Sequence, residues 1–279
     1  MYPIYDFGGQ GPLINLALAN GFPPQTYLPM LRPLLPHYHI VCLLPRALWG
    51  GEPVPAQLRQ WDQLADDLLA AMNTHGMSQI IAIGHSFGGI ASMIALSRQP
   101  QRFRALCLLD PTVFQPSWMA QMEAMQRDGS IRDFPLAAGA IRRRRHFEDA
   151  GSAYDYFKTK ALFADWPEET LRLYAQQGTR PSEAGGVELV WSPEWESYYF
   201  STGYTRSWDI IPQLDTAAPI LTIRGGTTDT LTVESAARMR ELLPHMTYAE
   251  VPGHGHLFPQ TAPEQTAAII LDWLKTQGA

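Results

Sequence analysis

Several things are scarce in this chain of 279 residues. Cysteine occurs only as Cys42 and Cys107, each inside an apolar run, so both read as reduced thiols of the core and a disulfide framework is not expected. Basic excess is missing as well: the formal net charge is −6, which gives no general attraction to nucleic acid or an anionic membrane surface. No apolar segment approaches a membrane span, and no basic start leads into an apolar signal core, so a cytoplasmic protein is expected. Internal repeats and low-complexity tracts are also absent. What remains is 46% hydrophobic and 17% charged residues, the balance of a globular protein long enough to bury a substantial core.

That core has a rhythm. Ile14 to Ala19, His39 to Leu44, Ile80 to Ile83, Phe103 to Leu109, Ile220 to Arg224 and Thr247 to Val251 read as strands, most of them apolar on both faces. Between them lie helical patterns. Residues Thr26 to Leu35 make a helix that Pro29 and Pro33 keep short or irregular. Leu58, Trp61, Leu64, Ala65, Leu68, Leu69 and Met72 recur every three or four positions and stop at Gly76. Thr261-Ala262-Pro263-Glu264 reads as a capping box opening a last helix that buries Ala267, Ile270, Trp273 and Leu274. Strand alternating with helix implies crossovers, hence an α/β fold with a mostly parallel central sheet and helices on both faces. The rhythm breaks between about residues 113 and 206, where aromatics are dense and no buried strand is expected. The simplest organisation is a core of residues 1–112 and 207–279 carrying a helical insert at 113–206.

The sharpest local signal is Gly84-His85-Ser86-Phe87-Gly88, between a buried strand and a helix. A strand that reverses into a helix brings backbone close together, and glycines two before and two after the serine relieve the clash. Such a turn lifts Ser86 Oγ out of the sheet and leaves free amides at a helix N-terminus, which favour developing negative charge. A serine hydroxyl needs a base, and the base an orienting partner. His254-Gly255-His256 follows the last strand and Gly225-Gly226-Thr227-Thr228-Asp229 the one before it, so Ser86, Asp229 and His256 can converge at one edge of a parallel sheet.

These residues resemble the α/β-hydrolase superfamily, serine-nucleophile branch with a helical lid, over about residues 13 to 112 and 207 to 274. The resemblance implies a triad of Ser86, Asp229 and His256. The family's proline-x-x-glycine-histidine spacing selects His256 over His254, and Asp110 is the second candidate for the acid because some relatives place it there. Asn20-Gly21-Phe22-Pro23 matches the loop that supplies an oxyanion donor, which implies an oxyanion hole built from the amides of Phe22 and Phe87. Asn20 stands where many relatives carry histidine. The short start implies that the antiparallel strands usually opening the fold are trimmed.

The implied activity is hydrolysis of a small ester, lactone or similar carbonyl compound with an apolar group, without metal or organic cofactor. A carbon-carbon bond hydrolase of the diketone-cleaving kind is the alternative, favoured if one of Arg142 to Arg145 reaches the pocket to hold a carboxylate; otherwise these arginines belong to a solvated helix. Serine at the nucleophile position disfavours the dehalogenase and epoxide-hydrolase branches. A ligand receptor that does not turn over is the reading from a different class. The partner is a small-molecule substrate, not nucleic acid, and a homodimer is compatible with the sequence. His85 reads as a packed or loop-supporting side chain.

Overall fold

The computed structural model describes residues 2–278 except 52, 58, 59 and 215–217, so the expectation for Leu58 lies outside the described residues. In chain order, the core begins with strands β1 (Ile4–Gly8) and β2 (Leu13–Ala17), a 3-10 turn at Pro24–Tyr27 running into the short helix α1 (Leu28–Leu31), and β3 (His39–Leu43). The expected helix over 26–35 is thus reduced to two turns, with a proline at the first position of one and the second of the other. Then follow α2 (Asp62–Thr74), β4 (Ile80–His85), α3 (Phe87–Arg98) and β5 (Phe103–Leu109).

The sheet has the order β1-β3-β2-β4-β5-β9-β10, with β9 (Ile220–Gly225) and β10 (Thr247–Val251) arriving from the far end of the chain. All its pairings are parallel except that of β1 with β3, so the mostly parallel sheet is found and one antiparallel opening strand is kept. β4 and β9 are buried at every position, as strands inside a covered sheet must be. Ile80, Ile81 and Ile83 have no exposed surface, and each such side chain contributes roughly 1.5–3 kcal/mol on burial.

Between β5 and β9 the chain forms α4 (Pro116–Asp128), α5 (Pro135–Ile141), strand β6 (His146–Phe147), α6 (Ala150–Lys158), α7 (Glu168–Gln177), strands β7 (Thr179–Pro181) and β8 (Val187–Leu189), α8 (Pro193–Ser201) and the short α9 (Ser207–Ile210). Its three strands make a small antiparallel sheet, β6-β8-β7, where only helices were expected. Strands of two or three residues are too short to show an alternating pattern. The aromatics of this segment pack on one another: Phe157 meets Phe147, Phe163 and Tyr174, and Phe163 meets Trp166. Helix α7 lies against the Pro24–Tyr27 turn, so the segment rests on the chain just beyond β2.

After β9 come α10 (Val233–Leu242), β10, α11 (Phe258–Thr261) and α12 (Pro263–Thr276). One set of helices, α2, α3 and α9, packs together, and another, α1, α11 and α12, forms a second group. Helix α12 buries Ala267, Ile270, Trp273 and Leu274 as its spacing required, but its N-cap is Ala262 without a side-chain bond. Thr261 ends α11 instead, and its hydroxyl pairs with His254 Nδ1 at 2.8 Å. Among the described residues, no helix is long and apolar enough to cross a membrane.

Candidate active site

The turn between β4 and α3 is set by close backbone packing. A Cβ on Gly84 would stand 2.6 Å from Gly89 Cα, and one on Gly88 would stand 2.5 Å from the carbonyl oxygens of Ala17 and Leu18. Both glycines are therefore steric necessities. Ser86 between them has φ 57° and ψ −122°, a conformation that costs a non-glycine residue on the order of 1–3 kcal/mol and is retained only where surrounding structure enforces it. As N-cap of α3 it precedes the amides of Phe87 and Gly88, which come before the first intrahelical bonds.

Ser86 Oγ lies 2.9 Å from His256 Nε2, and His256 Nδ1 lies 2.6 Å from Asp110 Oδ2. The contact differs from the expected one: the structure brings Asp110, not Asp229, to the imidazole. Asp110 leaves the end of β5 with φ 44°, a further non-glycine residue at positive φ, and that turn directs its carboxylate across the sheet edge. The loop after β9 takes part through other groups. Gly225 N–H donates to Asp110 Oδ1 at 3.2 Å, and the Thr228 hydroxyl donates to Oδ2 at 2.6 Å. A fully buried carboxylate is thereby given three donors, which is what keeps such a charge tolerable. Asp229 is exposed and lines the cavity above. Asp110, the second candidate from the sequence, stands directly after a buried strand next to the serine strand.

His256 is held from behind. A carbonyl can only accept, so His85 donates its Nε2–H to His256 O at 3.0 Å, and its Nδ1 accepts from the Tyr27 hydroxyl at 2.7 Å. The Tyr27 oxygen in turn accepts from Ala19 N–H at 2.9 Å. Burial, reinforced by the neighbouring His256, pushes the His85 pKa well below 6.5, so this imidazole is neutral and its tautomer fixed. Burial likewise pushes the Tyr27 hydroxyl up, which keeps it a donor.

Beyond β2 the chain runs through Asn20, Gly21 and Phe22, with Gly21 at φ 88°. Phe22 N–H makes only a long 3.4 Å contact to Ala19 O. The Phe22 ring stacks on Trp166 with centroids 5.8 Å apart. Asn20 braces the loop, its Nδ2 donating to Glu196 O at 2.9 Å.

Above Ser86 and His256 lies a cavity of about 790 Å³. Its wall is dominated by Phe22, Phe114, Trp118, Met122, Phe134 and Phe200, and Arg143, Glu196 and Asp229 are its charged members. The four arginines do different things. Arg143 enters the wall, ion-pairs with Glu196 and donates from Nη2 to the Tyr174 hydroxyl at 2.6 Å. Arg144 lies over the rings of Phe147 and Tyr156, and Arg145 pairs with Glu194. Arg142 is exposed. Burial holds the Glu196 carboxyl above its ordinary value, with Arg143 opposing the shift.

Comparison with known proteins agrees with this architecture. A 2-(acetamidomethylene)succinate hydrolase of Mesorhizobium japonicum is 24% identical over 212 residues, covering 75% of this chain and 69% of that protein. A bifunctional epoxide hydrolase 2 of Sus scrofa is 22% identical across 96% of this chain, which spans about half (52%) of that relative's length. The solved structure of an E-2-(acetamidomethylene)succinate hydrolase superposes with a TM-score of 0.75 at 21% identity, covering 98% of this chain and 94% of the other. The family model of the alpha/beta hydrolase fold matches residues 18–263, and the chain belongs to that family.

Proposed function

We propose that this hydrolase cleaves a neutral ester or lactone carrying a bulky apolar group, by nucleophilic catalysis from Ser86. The observation that carries the reading is the unbroken bond sequence from the Ser86 hydroxyl through both ring nitrogens of His256 to Asp110. Ser86 Oγ attacks the carbonyl carbon as its proton passes to His256 Nε2, and Asp110 fixes the Nδ1–H tautomer and stabilises the imidazolium. The Phe22 and Phe87 amides hold the oxyanion of the tetrahedral intermediate. Each such donor is typically worth about 3 kcal/mol in the transition state. His256 then gives its proton to the leaving oxygen, and a water activated by the same imidazole attacks the acyl-serine, releasing the acid and restoring Ser86. The segment 113–206 acts as a lid that lines the cavity and excludes water.

The wall chemistry supports a neutral substrate. Among the described residues Arg143 is the cation lining this cavity, and its guanidinium is already engaged by Glu196 and Tyr174. A dicarboxylate of the kind named for the Mesorhizobium relative, or a diketo acid awaiting carbon-carbon cleavage, would have to compete with Glu196 for it. Serine at the nucleophile position speaks against epoxide opening through an aspartyl ester. The test is a panel of nitrophenyl esters, lactones, acylaminomethylene succinates and vinylogous diketo acids, run with wild type and Ser86→Ala. Turnover of neutral esters that Ser86→Ala abolishes, together with loss of fluorophosphonate labelling, is the expected result. Preference for the anionic members would transfer the assignment to the second chemistry. A single slow event per molecule would make the protein a receptor.

A further inference from the structure

The Asn20–Phe22 loop carries one of the two proposed oxyanion donors, yet its geometry is soft. Gly21 has φ 88° and no side chain, and locally the Phe22 N–H is held by no more than its long 3.4 Å contact to Ala19 O, a weak restraint on rotation of the Gly21–Phe22 peptide. That peptide is planar, with the Gly21 carbonyl and the Phe22 N–H pointing in opposite directions. Whatever holds the carbonyl therefore aims the amide. The Tyr174 hydroxyl reaches Gly21 O at 3.5 Å. Because a guanidinium only donates, the tyrosine oxygen accepts from Arg143 Nη2 at 2.6 Å and keeps its own proton for Gly21. Arg143 is anchored by Glu196, whose carboxylate lies over the same glycine: a Cβ on Gly21 would stand 3.1 Å from Oε1. The backbone oxygen of Glu196 also takes the Asn20 side-chain bond.

We infer that Arg143, Glu196 and Tyr174, from α5–β6, α8 and α7, are positioning residues that set the orientation of the Gly21–Phe22 peptide and so assemble the oxyanion site. The inference rests on the proposed serine-hydrolase reading. A largely buried ion pair is weak grounds for stability, since apolar residues of similar volume often serve as well, so its worth here is geometric. The long Tyr174 contact suits this role, because bonds at such sites tighten when negative charge develops. On this view the segment between β5 and β9 completes the catalytic apparatus as well as covering it.

The experiment compares wild type with Tyr174→Phe, Arg143→Gln and Arg143→Lys on a nitrophenyl ester, alongside affinity for an alkyl boronic acid that forms a tetrahedral adduct with the serine. Misaiming a donor without deleting it is expected to lower kcat about tenfold, with KM changed less than about threefold and boronate affinity falling in step with kcat. Arg143→Lys, which keeps the charge and loses the fork, is expected to behave like Arg143→Gln. Unchanged kcat and boronate affinity in Tyr174→Phe and Arg143→Gln would overturn the inference. So would a loss confined to KM and thermal stability. If Arg143→Gln fails to fold, Tyr174→Phe, which lacks a single oxygen, decides. A wild-type protein without Ser86-dependent turnover would instead refute the parent reading, and the two failures are therefore distinct.

Discussion

Which carboxylate faces His256 turns on the conformation of a single residue. Asp110 and Asp229 both follow buried strands, β5 and β9, that are neighbours in the sheet. Asp110 turns through φ 44° and is buried under Gly225 N–H, the Thr228 hydroxyl and His256, whereas Asp229 lies exposed at the cavity. Asp110→Asn is expected to depress kcat by roughly three to four orders of magnitude, because an amide facing Nδ1 favours the wrong tautomer. Asp229→Asn should change it by less than about threefold, as expected of an exposed residue outside the bond sequence. Steady-state kinetics on both variants checks the assignment, and the reverse pattern would restore Asp229. No periodicity could have separated the two carboxylates. The choice depends on a left-handed turn and on which donors fold over it, and both are tertiary facts.

The β4–α3 unit was readable for the opposite reason. Its burial on both faces, its two glycines and the helix that follows all express local sterics that leave marks in the residue order. Gly88→Ala tests the point: its methyl would meet the carbonyls of Ala17 and Leu18, which are backbone of the neighbouring strand exit and cannot rotate away. A loss of about 3 kcal/mol or more in urea unfolding is expected, at the upper end of overpacking costs. An unchanged midpoint would mean that β2 yields freely. Elements with weaker local signatures escaped the reading. β1 has half-buried positions on both sides, the β6-β8-β7 sheet has two or three residues per strand, and the apparent capping box lost Thr261 to His254. The division of labour among Arg142 to Arg145 was equally hidden, because partners such as Glu196 lie 53 positions away.

At the scale of the whole molecule, the neutral His85 ties global stability to pH. Its folded pKa lies well below the ordinary 6.5, so below about pH 6.5 the unfolded chain binds a proton that the native state refuses. Stability from this group is complete above that pH and falls as acid is added, with a slope approaching about 1.4 kcal/mol per pH unit until the folded pKa is reached. His85→Gln keeps an acceptor for Tyr27 and a donor for the His256 carbonyl but cannot take up the proton. Urea midpoints of the two proteins between pH 7 and 5 should diverge, wild type losing more. Parallel curves would mean that His85 is protonated in the native state.

The pairing of Ser86 with an imidazole 170 residues further along has a consequence during synthesis. On the proposed reading, a growing chain that has emerged as far as β9 already possesses Ser86, Asp110 and most of the cavity wall, but not the imidazole that serves as base. Under the proposed mechanism such a nascent protein would be silent toward esters until residue 256 leaves the ribosome and β10 takes its place at the sheet margin. Reactivity is thus withheld until nearly all of the described fold has been made.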